Sequence, residues 1–381
     1  MNKPRLLIVT RNFPPLWGGM ERLNWHMAQQ LTNRFDVRVI APEGAAAHAP
    51  TGVVVREATL RPLSALLLQM ARLARREAGV WRPEIVLAGS GLTAPIAWLA
   101  ARHCGARTAA YVHGLDLTVP HPVYRALWVP ALRRMDRLIA NSGATAQLAH
   151  AIAIAPEHIS VVHPGVDIPA FDTAARVRFR RRHIIADAAP VLLSVGRLTA
   201  RKGLREFVMD VLPSIAAARA DVVLAVVGDA PAHALYAQVQ TQQSILDAAR
   251  AAGVASNVRL LGKLFGQDLA DAYFGADLHA FPVRQIPHDP EGFGMVAVEA
   301  AAHGLPTVAY ATGGVVDAVA NAQSGRLIDP HDAHAFAEAA LELLSSPIPV
   351  ESCRRFAQAF AWEGFGESVM SALQLQDSHP S

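Results

Sequence analysis

Glu291 and Glu299 stand eight residues apart in the segment EGFGMVAVEAAAHG (291–304). Gly292 and Gly294 precede an apolar, helix-forming run that Gly304 closes. A helix is therefore expected to open near Gly294, with N–H groups and a positive dipole end turned toward a phosphate or a sugar hydroxyl. Gly294 to Glu299 spans about 7 Å of helix. The two carboxylates can thus reach two parts of one extended ligand, one a sugar hydroxyl and the other a ribose diol. They share a turn and its helix, and fit poorly as an acid–base pair converging on one bond from opposite sides.

Cations come from another loop. In VGRLTARKG (195–203), Arg197 and Lys202 follow an apolar strand-like run and suit a diphosphate, one as a fork and one as a point charge. Arg201 is expected to face water. His113, in YVHGLD (111–116), also ends an apolar run, where it can donate to a sugar hydroxyl or shift charge near a leaving group. Gly18 and Gly19, in PPLWGGME (14–21), allow close backbone approach before a helix. That loop is not G-x-G-x-x-G, so the dinucleotide fingerprint is missing where it should occur. No Asp-x-Asp occurs, Asp289-Pro290-Glu291 being the nearest thing. No metal-bridged diphosphate and no cofactor is expected; Arg197 and Lys202 would replace the metal's charge.

Positioning these groups falls to alternating elements. Short apolar runs (Leu6–Thr10, Val37–Ile40, Ile85–Ala88, Thr108–Val112, Leu138–Ala140) alternate with segments of helical spacing such as Gly19–Thr32 and Ala94–His103. That order predicts parallel strands with right-handed crossovers. After a polar, Pro-punctuated break at Asp167–Pro190 the alternation restarts at Val191–Val195. The fold class is α/β: two Rossmann-like domains facing each other across a cleft. The expected bounds are 1–168 for the first domain and 169–354 for the second, with helices from about 355 to 381 crossing back to the first.

The 381 residues are 52% apolar and 18% charged, which excludes a disordered chain. Two cysteines make no disulfide framework. No run of about 18 apolar residues and no signal peptide is evident, so a cytoplasmic protein is expected. Residues 1–175 hold 18 Lys+Arg against 11 Asp+Glu, and residues 176–381 hold 17 against 21, so the basic half can meet an anionic partner. Two basic amphipathic stretches, Pro62–Arg82 and Tyr124–Arg137, are candidates for peripheral contact with an anionic membrane surface. Nucleic acid is disfavoured by the lack of a motif or an aromatic-basic stripe.

PPLWGGME, VHGLD, VVHPGVD, SVGRLTARKG, VVGDAP and EGFGMVAVEAAAHGLPTVAYATGGVVD occur in the order found in family 4 of the retaining glycosyltransferases, which the chain resembles from about Arg5 to Asp329. AWEGFGE is similar to the closing helices of that family. The resemblance implies the GT-B fold and transfer of a hexose from a nucleoside-diphosphate sugar (GDP- or UDP-linked) to a glycan or lipid-linked acceptor, with retention, as in cell-surface polysaccharide or glycolipid synthesis. It implies that Gly18 and Gly19 approach the donor and that His113 contacts its sugar. Arg197 and Lys202 would hold the diphosphate, Glu291 a sugar hydroxyl and Glu299 the ribose. The N–H groups of Phe293, Gly294, Met295 and Val296 would complete the donor site. The stretch 284–317 is most similar to bacterial mannosyl- and rhamnosyltransferases, including those acting on phosphatidylinositol. Two rivals remain open: a nucleotide-sugar epimerase or hydrolase of the same fold, and a non-catalytic nucleotide-sugar-binding protein.

Overall fold

The computed structural model describes residues 3–230 and 238–373. Pro231, the last residue of VVGDAP, and the chain beyond 373 lie outside them. The chain forms two units. One runs to Gly165 and takes up again from Trp362; the other spans Val166–Ala361.

The N-terminal unit is built on a seven-stranded parallel sheet. Its strands are β1 (Arg5–Val9), β2 (Asp36–Pro42), β3 (Val54–Ala58), β4 (Ile85–Ala88), β5 (Arg107–Val112), β6 (Arg137–Ala140) and β7 (Ile159–Val161), in the order β3-β2-β1-β4-β5-β6-β7. β1, β4 and β5 are continuous apolar runs because helices cover both faces of a parallel sheet. The Leu63–Val80 helix turns Leu66, Met70, Ala74 and Ala78 into the core beneath them. Much of the apolar stripe of the 62–82 stretch is therefore spent on packing, with Leu68 and Val80 left exposed. The Pro122–Leu132 helix leaves Val123 and Leu127 exposed. No helix among the described residues is long and apolar enough to cross a membrane.

The second unit carries β8 (Val191–Val195), β9 (Val223–Val227), β10 (Val258–Gly262), β11 (Leu278–Phe281), β12 (Thr307–Tyr310) and β13 (Gly325–Ile328), all parallel, in the order β10-β9-β8-β11-β12-β13. Both sheets reverse their winding beside their first strand, between β1 and β4 and between β8 and β11. In doubly wound sheets that crevice is where ligands bind.

The polar break at 167–190 contains a docked helix, Ala175–Arg182, packed on the Gly266–Gly275 helix. Phe179 enters the core, and an added Cβ on Gly275 would lie 2.5 Å from its ring. Arg176 and Arg180 pair with Asp277, each at 2.7 Å, and Arg178 pairs with Asp172 and Asp271 at 2.5 Å. The chain passes between units at Gly165/Val166 and again at Ala361/Trp362. The return thus falls at Trp362, not near 355. The Val350–Gln358 helix stays in the second unit because Cys353 and Ala357 pack into the cluster around Phe293 and Val298. Among the described residues only the Trp362–Leu373 helix returns, stacking Trp362 on His26 and packing Phe365 against Tyr111.

Candidate active site

Arg197, Lys202 and Glu291 gather at the β8/β11 end of the second unit. The loop after β8 is pinned by glycines at close backbone approaches. A Cβ on Gly228 would fall 1.8 Å from the Gly196 carbonyl oxygen, and one on Gly203, at φ +68°, 2.0 Å from that of Pro282. This loop delivers Lys202 Nζ to 2.8 Å from a Glu291 carboxylate oxygen and 4.8 Å above the Phe281 ring. Val195, Gly196, Arg197, Lys202, Val227 and Phe281 help line a shallow open hollow. Arg197 is exposed at its rim.

Arg201 does not face water. Its side chain is only 11% exposed, 2.6 Å from Asp289 and 3.2 Å from Glu291. The acidic turn 289–291 folds back across the loop and supplies the partners that local sequence could not reveal. Burial would raise the Glu291 carboxyl, but Lys202 and then Arg201 outweigh it and hold its pKa down at about 2. Burial lowers the Lys202 ammonium, against the pull of Glu291.

The Glu291 turn has its own support. Gly314 N–H donates to the Glu291 carbonyl at 2.9 Å. A Cβ on Gly314 would lie 2.0 Å from the Gly292 carbonyl oxygen, and one on Gly313 2.6 Å from that of Glu291. The GG pair at 313–314 is therefore a backbone-packing requirement for the turn that carries the carboxylate. Gly294, at φ +96°, starts the Met295–Ala302 helix. Phe293 is buried beside Phe360 and anchors the turn; Met295 and Val296 stand half-buried in the first helical turn. Glu299 lies one turn further on, accepting from the Tyr273 hydroxyl at 2.9 Å.

In the N-terminal unit, His113 follows β5 and caps the Gly114–Thr118 helix, its N–H donating to Asp116 at 2.9 Å. Asn141 Nδ2 donates to His113 Nδ1 at 3.1 Å, which leaves the proton on Nε2. That buried Nε2 has no hydrogen-bond partner among the described residues. Burial lowers the His113 pKa more than Asp116 and Glu21 raise it, so the ring is a neutral donor. Glu21 is held by Asn12 Nδ2 at 2.7 Å, and Glu21 Oε2 would lie 2.4 Å from a Cβ on Gly18. Gly19 is the first residue of the helix that follows. Spacing did not single out the groups that hold these side chains and turns: Asn141 on His113 and Asn12 on Glu21 in the first unit, and Arg201 and the Gly313-Gly314 pair on Glu291 and Tyr273 on Glu299 in the second.

Residues 176–361 match the family described as Glycosyl transferases group 1, and residues 17–169 match Glycosyltransferase Family 4. The D-inositol 3-phosphate glycosyltransferase of Actinosynnema mirum is 32% identical over 360 residues, covering 86% of this chain and 83% of that protein. The GDP-mannose-dependent alpha-(1-6)-phosphatidylinositol monomannoside mannosyltransferase of Mycolicibacterium smegmatis is 29% identical over 360 residues, 90% of each chain. Among solved structures, Anabaena HepE in complex with UDP aligns with a TM-score of 0.78 over 97% of this chain and 99% of that one, at 20% identity, a likeness of fold. The chain is thus a member of the family 4, group 1 glycosyltransferases, and its two doubly wound units are those of the GT-B fold.

Proposed function

We propose that this glycosyltransferase moves a hexosyl group, of mannose or rhamnose type, from a nucleoside-diphosphate sugar to a hydroxyl of a glycan or lipid-linked acceptor. The anomeric configuration is retained and no metal ion is used. The observation that carries the reading is the cluster of Lys202, Arg201 and Glu291 at the β8/β11 crevice, with Arg197 at its rim. Lys202 and Arg197 supply fixed positive charge for the pyrophosphate and for the negative charge that grows as it leaves. Glu291, ionised above pH of about 2, accepts from a hydroxyl of the sugar. Glu299 accepts from the ribose.

The bond from the anomeric carbon to the phosphate oxygen breaks through an oxocarbenium-like state. The acceptor oxygen bonds to the same face of that carbon, and its proton passes to the departing phosphate. His113, a neutral donor with an unpartnered Nε2, serves the transferred sugar. Support for a mannosyl donor and a polyol-phosphate or inositol-lipid acceptor comes from the names of the two relatives. The protein works in the cytoplasm in this reading, and the exposed Val123 and Leu127 with the neighbouring Arg125 suit an anionic membrane surface.

The test is a screen of GDP- and UDP-sugars with inositol phosphate, phosphatidylinositol and oligosaccharide acceptors, in EDTA, with product linkage read by NMR. An α-linked glycoside from an α-linked donor is the expected result. Free sugar released equally without acceptor would favour the hydrolase or epimerase reading. Activity lost in EDTA and restored by magnesium would refute the metal-free site.

A further inference from the structure

Glu299 is held at both ends by groups outside the proposed chemistry. Its carbonyl oxygen accepts from His303 Nδ1 at 2.7 Å, and its carboxylate accepts from the Tyr273 hydroxyl at 2.9 Å. Tyr273 lies on the Gly266–Gly275 helix, is only 2% exposed, and stacks its ring on His303 with centroids 4.8 Å apart and planes at 25°. His303 is wedged in turn against Phe274 at 4.7 Å. Three packed rings thus fix the direction of one hydroxyl, and that hydroxyl fixes the plane of one carboxylate.

We infer that Tyr273 is a positioning residue that orients Glu299 and thereby sets how strongly the site discriminates ribose from a sugar lacking the 2′ and 3′ hydroxyls. The inference rests on the proposed ribose contact of Glu299. A carboxylate accepts two vicinal hydroxyls well only when its plane lies along them. With one oxygen tied to a rigid phenol the plane is set before the nucleotide arrives, and the ordering cost of binding falls.

Affinities of UDP and GDP and of their 2′,3′-dideoxy counterparts would be measured by calorimetry for wild type, Tyr273→Phe, Glu299→Ala and the double variant. Wild type is expected to prefer the ribonucleotide by more than about tenfold, and Tyr273→Phe to cut that preference about five- to tenfold. Tyr273→Phe should leave dideoxynucleotide affinity unchanged and add nothing in the Glu299→Ala background. Tyr273→Met, which also lacks the hydroxyl, should mimic Tyr273→Phe and supplies a second route should the phenylalanine variant fail to fold. A Tyr273→Phe or Tyr273→Met protein that keeps the wild-type ratio would overturn the inference alone. So would equal weakening of both nucleotide types by Tyr273→Phe. A wild type that does not discriminate would overturn the ribose contact, and the inference with it.

Discussion

Lys202→Ala removes a cation from a site where two opposing groups are buried together. Its ammonium sits 2.8 Å from Glu291, whose side chain is 10% exposed. At an effective dielectric of 20, the gross attraction at that distance is roughly 6 kcal/mol. Desolvation offsets much of it, and breaking a buried pair from one side typically costs about 3–5 kcal/mol. Here Arg201 remains 3.2 Å from the same carboxylate, so the lower end of that range is expected. Urea unfolding of Lys202→Ala should therefore show a loss of about 3 kcal/mol. Lys202→Ala/Glu291→Gln should recover much of it, because no buried carboxylate is then left short of a partner. Function behaves differently. Turnover should fall about 10²–10³-fold in the single variant and stay low in the double, because the charge facing the leaving group is missing in both. Wild-type turnover in Lys202→Ala, or a double variant no more stable than the single, would refute the assignment of this lysine to both partners.

Acid should expose the same cluster. The Glu291 pKa is depressed from an ordinary 4.5 to about 2, so its contribution is fully present above about 4.5 and is lost as pH falls through 2. Glu291→Gln should therefore flatten the stability–pH curve in that window by about 3 kcal/mol, checked by denaturant titrations at successive pH values. Gly314→Ala should drive the Glu291 turn off the Gly292 carbonyl, costing about 1–3 kcal/mol in unfolding and far more in activity than in stability; unchanged kinetics would show that the turn tolerates a shift. Asp277→Asn should cost about 2–4 kcal/mol, because Arg180, 1% exposed, loses its anionic partner while keeping its backbone carbonyls. A neutral result would mean that the 175–182 helix adds little to its unit.

The readings that held rest on local signals. Apolar runs of four or five residues separated by helical spacing specify a parallel α/β unit, because buried strands and their crossovers leave that mark in the chain itself. The turn-to-helix segment at 291–304 was legible for the same reason: glycines, helix start and both carboxylates lie within fourteen residues. Arg201 was misread because its partner Asp289 is 88 positions away. The 175–182 helix does not show in that polar break because, apart from Asp172, the aspartates its arginines pair with lie 86 to 101 residues away. A dense local charge run carries no record of whether distant chain will neutralise it.

The sequence by itself determined the two-unit α/β architecture, the family, and the segments to which the proposed phosphate and sugar site is assigned, since each is written in contiguous residues. Tertiary structure alone decided which charges are paired and which hydroxyl orients Glu299. It also decided that Asn141 sets the tautomer of His113, and where the chain leaves and re-enters its first unit. Those outcomes depend on which side chains burial brings within about 3 Å of one another, a property of packing that no local pattern encodes.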